Sequence, residues 1–174
     1  MPLSALQKIY LVGAGKAGRG MGEAALAVLG KRVAGGVVAV PPGAEGAAGA
    51  VRFGAAGHPI PDIRSVAAAR EMTEYLIALG HERIGFINGP TGHPVTEQRF
   101  LGYTLALRAH GLDVDPQLID RGEFTFESGL AAARRLLSRA TRPTAVFASN
   151  DDMAAGTIMA AHEMGLSIPN RLSV

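Results

Sequence analysis

The 174-residue chain contains no cysteine, which excludes disulfides, thiolate nucleophiles and cysteine metal sites. Its five histidines are scattered without metal-ligand spacing, so no metal is expected. Charged residues are only 18% of the chain, and a net charge of +2 is too small to argue for nucleic acid as a partner. No apolar run approaches the ~20 residues of a membrane helix. Residues 1–7 show no basic segment leading into an apolar one. No secretory signal or membrane partner is therefore expected, and the location implied is cytoplasmic. What remains is apolar bulk, 48% of the residues, in a length that suits one domain with a real core.

Composition changes near Ser65. Residues 1–64 hold 13 of the 23 glycines and all three lysines (Lys8, Lys16 and Lys31), while every later basic residue is arginine. The first segment has seven basic and three acidic residues; the second has ten basic and twelve acidic. Along the whole length, short apolar runs alternate with helical periodicity. Strands are expected at residues 8–12, 37–40, 51–53, 83–87, 118–119 and 145–148, with the start of another at 172–174. Helices are expected at 16–29, from Asp62 or Ser65 to 79, and at 96–109, 126–138 and 151–164, three of them closed by Gly80, Gly111 and Gly165. Residues 43–50 read as a small-residue loop. The alternation implies α/β architecture: a three-layer, mainly parallel, doubly wound sheet of about six strands, Rossmann-like or flavodoxin-like.

Gly13, Gly15 and Gly18 match G-x-G-x-x-G between a strand and a helix. Free N–H groups at such a turn attract an anion, and Lys16 adds a mobile positive charge. A dinucleotide would also need an acidic residue after the second strand, where Pro41 and Pro42 stand, so no nucleotide cofactor is expected. The bland alternative is that these glycines only permit a tight turn and close helix packing. The phrases LVGAGKAGRGMGEAAL, GGVVAVP and AAGHPIPD resemble the N-terminal segment of the bacterial glycerate 2-kinase (MOFRL-type) family, over about residues 1–64. That resemblance implies a phosphoryl-transfer role for Lys16 and a place near the substrate cleft for residues 57–62. With no counterpart to the rest of that kinase, Lys16 is expected to be vestigial and the chain not an enzyme.

The phrases YLIALGHERIGFINGP, TEQRFLGYTLAL, GEFTFESGLAAARRLL and PTAVFASNDDMAAGTIMAAHEMGLSIPNRLSV, over residues 69–174, resemble the C-terminal lobe of the LacI/GalR-family, periplasmic-binding-protein-like ligand-binding core. The resemblance implies that Arg99 grips effector hydroxyls, that Phe124 stacks on the ligand, and that Asn150 and Asp151 form a polar pair at a strand end. The residue chemistry agrees. Arg99 is a forked donor for paired oxygens, Phe124 offers a flat apolar face, and ligands of open α/β sheets collect at strand C-termini. Each also has a structural alternative: Arg99 paired with Glu97 or a helix-end carboxylate, Phe124 as core, Asp151 as a helix N-cap.

These readings converge on one α/β domain over residues 1–174, a chimera of a 1–64 segment and a 65–174 segment. The function expected first is an engineered scaffold with no selected activity. The alternative is a small-ligand module for an anion, nucleotide or sugar, and a second alternative is a residual glycerate 2-kinase fragment. With no helix-turn-helix, sequence-specific DNA binding is not expected. The partners expected are a phosphate or sulfate ion at residues 13–18, with the chain a monomer or homodimer.

Overall fold

The apolar run that follows Lys8 forms the first strand, β1 (Ile9–Ala14), and the glycine turn after it leads into α1 (Gly18–Leu29). A computed structural model describes residues 8–15, 17–56 and 62–174. The central strand of the first sheet, β2 (Val33–Val40), is longer than its Val37–Val40 core suggested, because Val33 and the Gly35–Gly36 pair join it. Glycine is required at Gly36, where a Cβ would lie 2.3 Å from the Leu11 carbonyl oxygen. Within the small-residue loop, β3 (Gly46–Ala48) folds back antiparallel on β4 (Val51–Ala55) through a turn at Gly49, whose φ is 54°.

The helix across the compositional break, α2 (Ile63–Ala78), is capped by Asp62, whose carboxylate accepts the Arg64 amide at 2.9 Å. Beyond it come β5 (Ile84–Asn88), α3 (Pro94–Ala109), β6 (Ile119–Arg121), α4 (Phe126–Leu137), β7 (Ala145–Ala148) and α5 (Asp151–Glu163). Gly80, Gly111 and Gly165 have φ values of 92°, 70° and 65°, the left-handed conformation that ends a helix without a Cβ clash.

The α/β class, the mainly parallel pairing and the helices on both sheet faces are as expected. The strands differ in one respect: they form two sheets, β1-β2-β4-β3 and β6-β5-β7, where one sheet of about six was expected. The reason is local. The outer edge of β4 is occupied by β3, so β5 cannot add there, and β5 has both edges filled by β6 and β7. The strand start expected at the chain end is present as a parallel bridge from Ser173 to Ala145 on the far side of β7.

The two sheets share a core. Val37 and Ala39 of β2 join Ala68, Ala69, Met72 and Leu76 of α2 with Ile84, Phe86 and Phe147 of the second sheet in one buried cluster. Along α2, Val66, Met72 and Leu76 are buried and Tyr75 is half-buried, while Leu79, just past the helix end, is exposed.

Candidate functional site

The C-terminal ends of the strands carry both sequence-predicted sites, one on each sheet. At the first, Lys16 and residues 57–61 lie outside the described residues. The Gly15 amide donates to the Ala39 carbonyl at 3.0 Å, and the Gly18 amide donates to the Gly15 carbonyl at 3.0 Å. Two of the N–H groups expected to face an anion therefore have partners within the chain. Gly18 has a packing reason as well: a Cβ there would meet Val38 Cγ1 at 3.0 Å, and one at Gly22 would meet the Phe53 ring at 2.7 Å. These contacts set α1 close against β2 and β4.

The second sheet brings Arg99, Phe124, Asn150 and Asp151 together at the ends of β5 and β7. Asn150 begins α5. Its side-chain oxygen accepts the Met153 amide at 3.1 Å, and its Nδ2 donates to the Phe124 carbonyl at 3.0 Å. Asn150, not Asp151, is thus the N-cap; Asp151 is exposed in the first turn, where its charge favours the helix dipole. Phe124 is the one non-glycine residue with positive φ among the described residues, at 60°. The Asn150 amide on its carbonyl helps hold that conformation.

The Phe124 ring lies on the backbone of Gly89, where a Cβ would be 2.2 Å from Cζ. His93 meets the same ring edge-on, with centroids 5.4 Å apart. Phe124 is half-buried and packs against the edge of the core cluster that contains Ile87 and Met153. Arg99 projects from α3 and donates from Nη1 to the Ser149 carbonyl at 2.5 Å. Among the described residues it forms no ion pair, so the expected alternative with Glu97 is absent. Burial pulls the Arg99 guanidinium below its ordinary range, and the Asp151 charge partly opposes this. One charged fork with most of its donors free, one aromatic face and a ring of strand-end backbone are suited to gripping an oxygen-rich small molecule. Sequence reasoning missed Gly89, His93 and Thr96. Gly89 was visible as the glycine that follows β5, but nothing in the sequence tied it to Phe124.

A model of the periplasmic binding protein-like domain matches residues 73–174, more than half of the chain and all of this site. The chain belongs to that family. Residues 1–87 belong to a second family, described as a domain of unknown function (DUF4147), and the two matches overlap at residues 73–87. Among curated proteins, the HTH-type transcriptional repressor CytR of Escherichia coli is 45% identical over 116 residues, which cover 67% of this chain and 34% of the repressor. The chain thus spans about a third of the length of the curated relatives it matches. Among solved structures, a LacI-family regulatory protein from Chloroflexus aggregans is 30% identical with a TM-score of 0.62, covering 91% of this chain and 62% of that one. A sugar-binding LacI-family transcriptional regulator from E. coli, complexed with phosphate, is 25% identical with a TM-score of 0.62, covering 90% and 61%.

These relatives overturn the expectation of an engineered scaffold without selected activity. The periplasmic-binding-protein-like segment is 40–45% identical to natural bacterial regulators. The relatives are repressors and regulators, not enzymes. Among the described residues no helix is long and apolar enough to cross a membrane.

Proposed function

We propose that the periplasmic-binding-protein-like segment is a small-ligand-binding lobe, with its site at the C-terminal ends of β5 and β7. Arg99 supplies the charged grip, Phe124 the flat face, and Asn150 holds Phe124 in place while capping α5. Asp151 sits at the rim. The observation that carries this reading is the half-buried Arg99, anchored through one backbone carbonyl and without an ion-pair partner among the described residues. A guanidinium partly withdrawn from water, with only the exposed Asp151 charge nearby and no ion pair among the described residues, is costly in a purely structural role. The relative described as sugar-binding and complexed with phosphate supports an oxygen-rich ligand, and a cytoplasmic location accords with relatives that regulate transcription.

The remaining expectations attach to this reading. The two family segments are of separate origin and join within α2, which is supported by family matches that overlap only at residues 73–87. The glycerate 2-kinase resemblance of residues 1–64 lies wholly inside the range of the second family. Calorimetric titration of a panel of hexoses, pentoses, nucleosides and inorganic phosphate tests the lobe. At least one should bind to the full chain, and Arg99→Gln should weaken it about tenfold or more, as expected when a charged donor is lost. Binding unaffected by that change, or none across the panel, removes the proposal.

A further inference from the structure

Thr96 is 3% exposed, and its Oγ1 has no hydrogen-bond partner among the described residues. It is unusual in this chain. The buried hydroxyl of Thr73 donates to the Ala69 carbonyl, that of Thr157 to Met153 and that of Ser149 to Ile87, each at 2.8 Å. An unpaired buried hydroxyl is retained at a cost to stability, so it needs a reason outside the resting fold.

Its surroundings supply one. Thr96 is the third residue of α3, and a Cβ on Gly89 would lie 2.6 Å from its Oγ1. The hydroxyl therefore faces the end of β5, beside the Phe124 ring that rests on the same glycine. The sixteen-residue α3 begins without a side-chain cap: His93 makes no capping bond, and Pro94 has no N–H. The positive end of the helix dipole points at this spot, with Glu97 the one acidic residue in the first turn and the Thr96 amide donating to the His93 carbonyl at 2.9 Å. Three residues on, Arg99 shares the face of Thr96 and carries a charge that no ion pair among the described residues matches. Asp151 is the one carboxylate whose field reaches Arg99, and it stands in solvent.

We infer that Thr96 and Arg99 form a two-point seat for a phosphate group of the ligand, at the N-terminus of α3. The Thr96 hydroxyl donates to one phosphate oxygen and the free Arg99 N–H groups to the others, while the helix terminus favours the negative charge. The Phe124 ring is the cover. It rotates off Gly89 as the phosphate enters and then lies against the ligand. This rests on the ligand-binding reading of the same site and narrows it from oxygen-rich molecules in general to phosphorylated ones.

Amide NMR of the full chain provides the test, with sodium phosphate as probe, sodium chloride at matched ionic strength as control, and glucose as a neutral probe. Phosphate should shift the amides of Val95, Thr96, Glu97 and Phe124, with chloride leaving them unchanged. Thr96→Val keeps the shape and removes the hydroxyl. It should weaken phosphate about fivefold or more without lowering the melting temperature, because the hydroxyl it removes has no partner in the resting fold. Phosphate shifts centred on Ala17 to Gly20, or phosphate binding unchanged in Thr96→Val, overturn the seat. Shifts at Arg99 and Phe124 with glucose but not phosphate overturn the seat and leave the binding lobe standing. No response at this edge to either probe, together with a blank calorimetric panel, overturns both.

Discussion

His81 illustrates how much one side chain can hold without belonging to any site. Its Nδ1 lies 3.0 Å from Thr144 Oγ1 and its Nε2 3.0 Å from Ser173 Oγ, so the ring ties the loop after α2 to the start of β7 and to the chain end. The Thr144 hydroxyl also reaches the Arg83 carbonyl at 3.4 Å. That assigns Nδ1–H as the donor to Thr144 and leaves Nε2 to accept from Ser173. Burial pushes the His81 pKa below its ordinary value, favouring this neutral form. The folded state then binds fewer protons than the unfolded state, whose histidine titrates near ~6.5. The contribution of His81 is complete above that value and is lost as pH falls from there toward the lower folded-state pKa. Urea unfolding at pH 7.5 and 5.0 should show a larger acid loss of stability in the wild-type chain than in His81→Gln. Equal losses in the two proteins would show that burial of this ring is not what the chain responds to. None of this was legible from the sequence, since the partners lie 63 and 92 residues away. The pieces of the candidate site named from the sequence, Arg99, Phe124 and Asn150, came from the family resemblance that the surrounding phrases carry. Thr96 and Gly89 were not, because their meaning depends on one ring brought over from a distant turn.

Among the helices, α4 and α5 pack through glycine. A Cβ on Gly156 would lie 2.4 Å from the Phe126 carbonyl oxygen and 2.5 Å from the Leu130 amide nitrogen; one on Gly129 would lie 2.4 Å from Met153 Cα. All of these are backbone atoms, so no side-chain rotation can make room. Gly156→Ala should destabilise the chain by about 1–3 kcal/mol in denaturant unfolding, despite the better helix propensity of alanine. An unchanged or raised midpoint would mean the helices can part without loss. The close approach matters for the site, because Met153 and Gly156 follow the Asn150 cap that fixes Phe124. At this scale the helices were well marked in the sequence. Asp62 and the glycine stops are local chemistry that a sequence displays, while the Thr125 cap of α4, whose hydroxyl accepts the Ser128 amide at 3.2 Å, came from the structure. By contrast, β3 is Gly-Ala-Ala and has no strand propensity of its own. It exists because β4 offers an edge and Gly49 allows the turn. That short hairpin decides the architecture, since it closes the first sheet against β5.

For the whole molecule, the two sheets pose the question of whether there are one or two folding units. Separate hydrogen-bonded ladders suggest two, but the buried surfaces argue for one. The face of β2 carrying Val37 and Ala39 packs on α2, and α2 packs in turn against the α3 side of the second sheet within the same cluster as Phe86, Tyr103 and Phe147. Unfolding the first sheet alone would strip one face of α2, exposing Ala69, Met72 and Leu76, which are buried to 5% exposure or less. Burial of that apolar surface is worth about 25 cal/mol per Å², so partial unfolding costs stability in both halves at once. The chain should therefore melt in a single transition, with circular dichroism at 222 nm and the near-ultraviolet tyrosine signal coincident. Tyr10 reports on β1 and Tyr103 on α3, and Tyr75 stands on α2 with its ring 6.0 Å from that of Tyr10. Met72→Ala at the shared surface should lower one common midpoint, the cavity it leaves being felt on both sides of α2. Two resolved transitions, with Met72→Ala moving only one of them, would establish two units that merely touch. The periplasmic-binding-protein-like segment would then fold without the first 55 residues, and α2 would be a linker instead of part of a shared core.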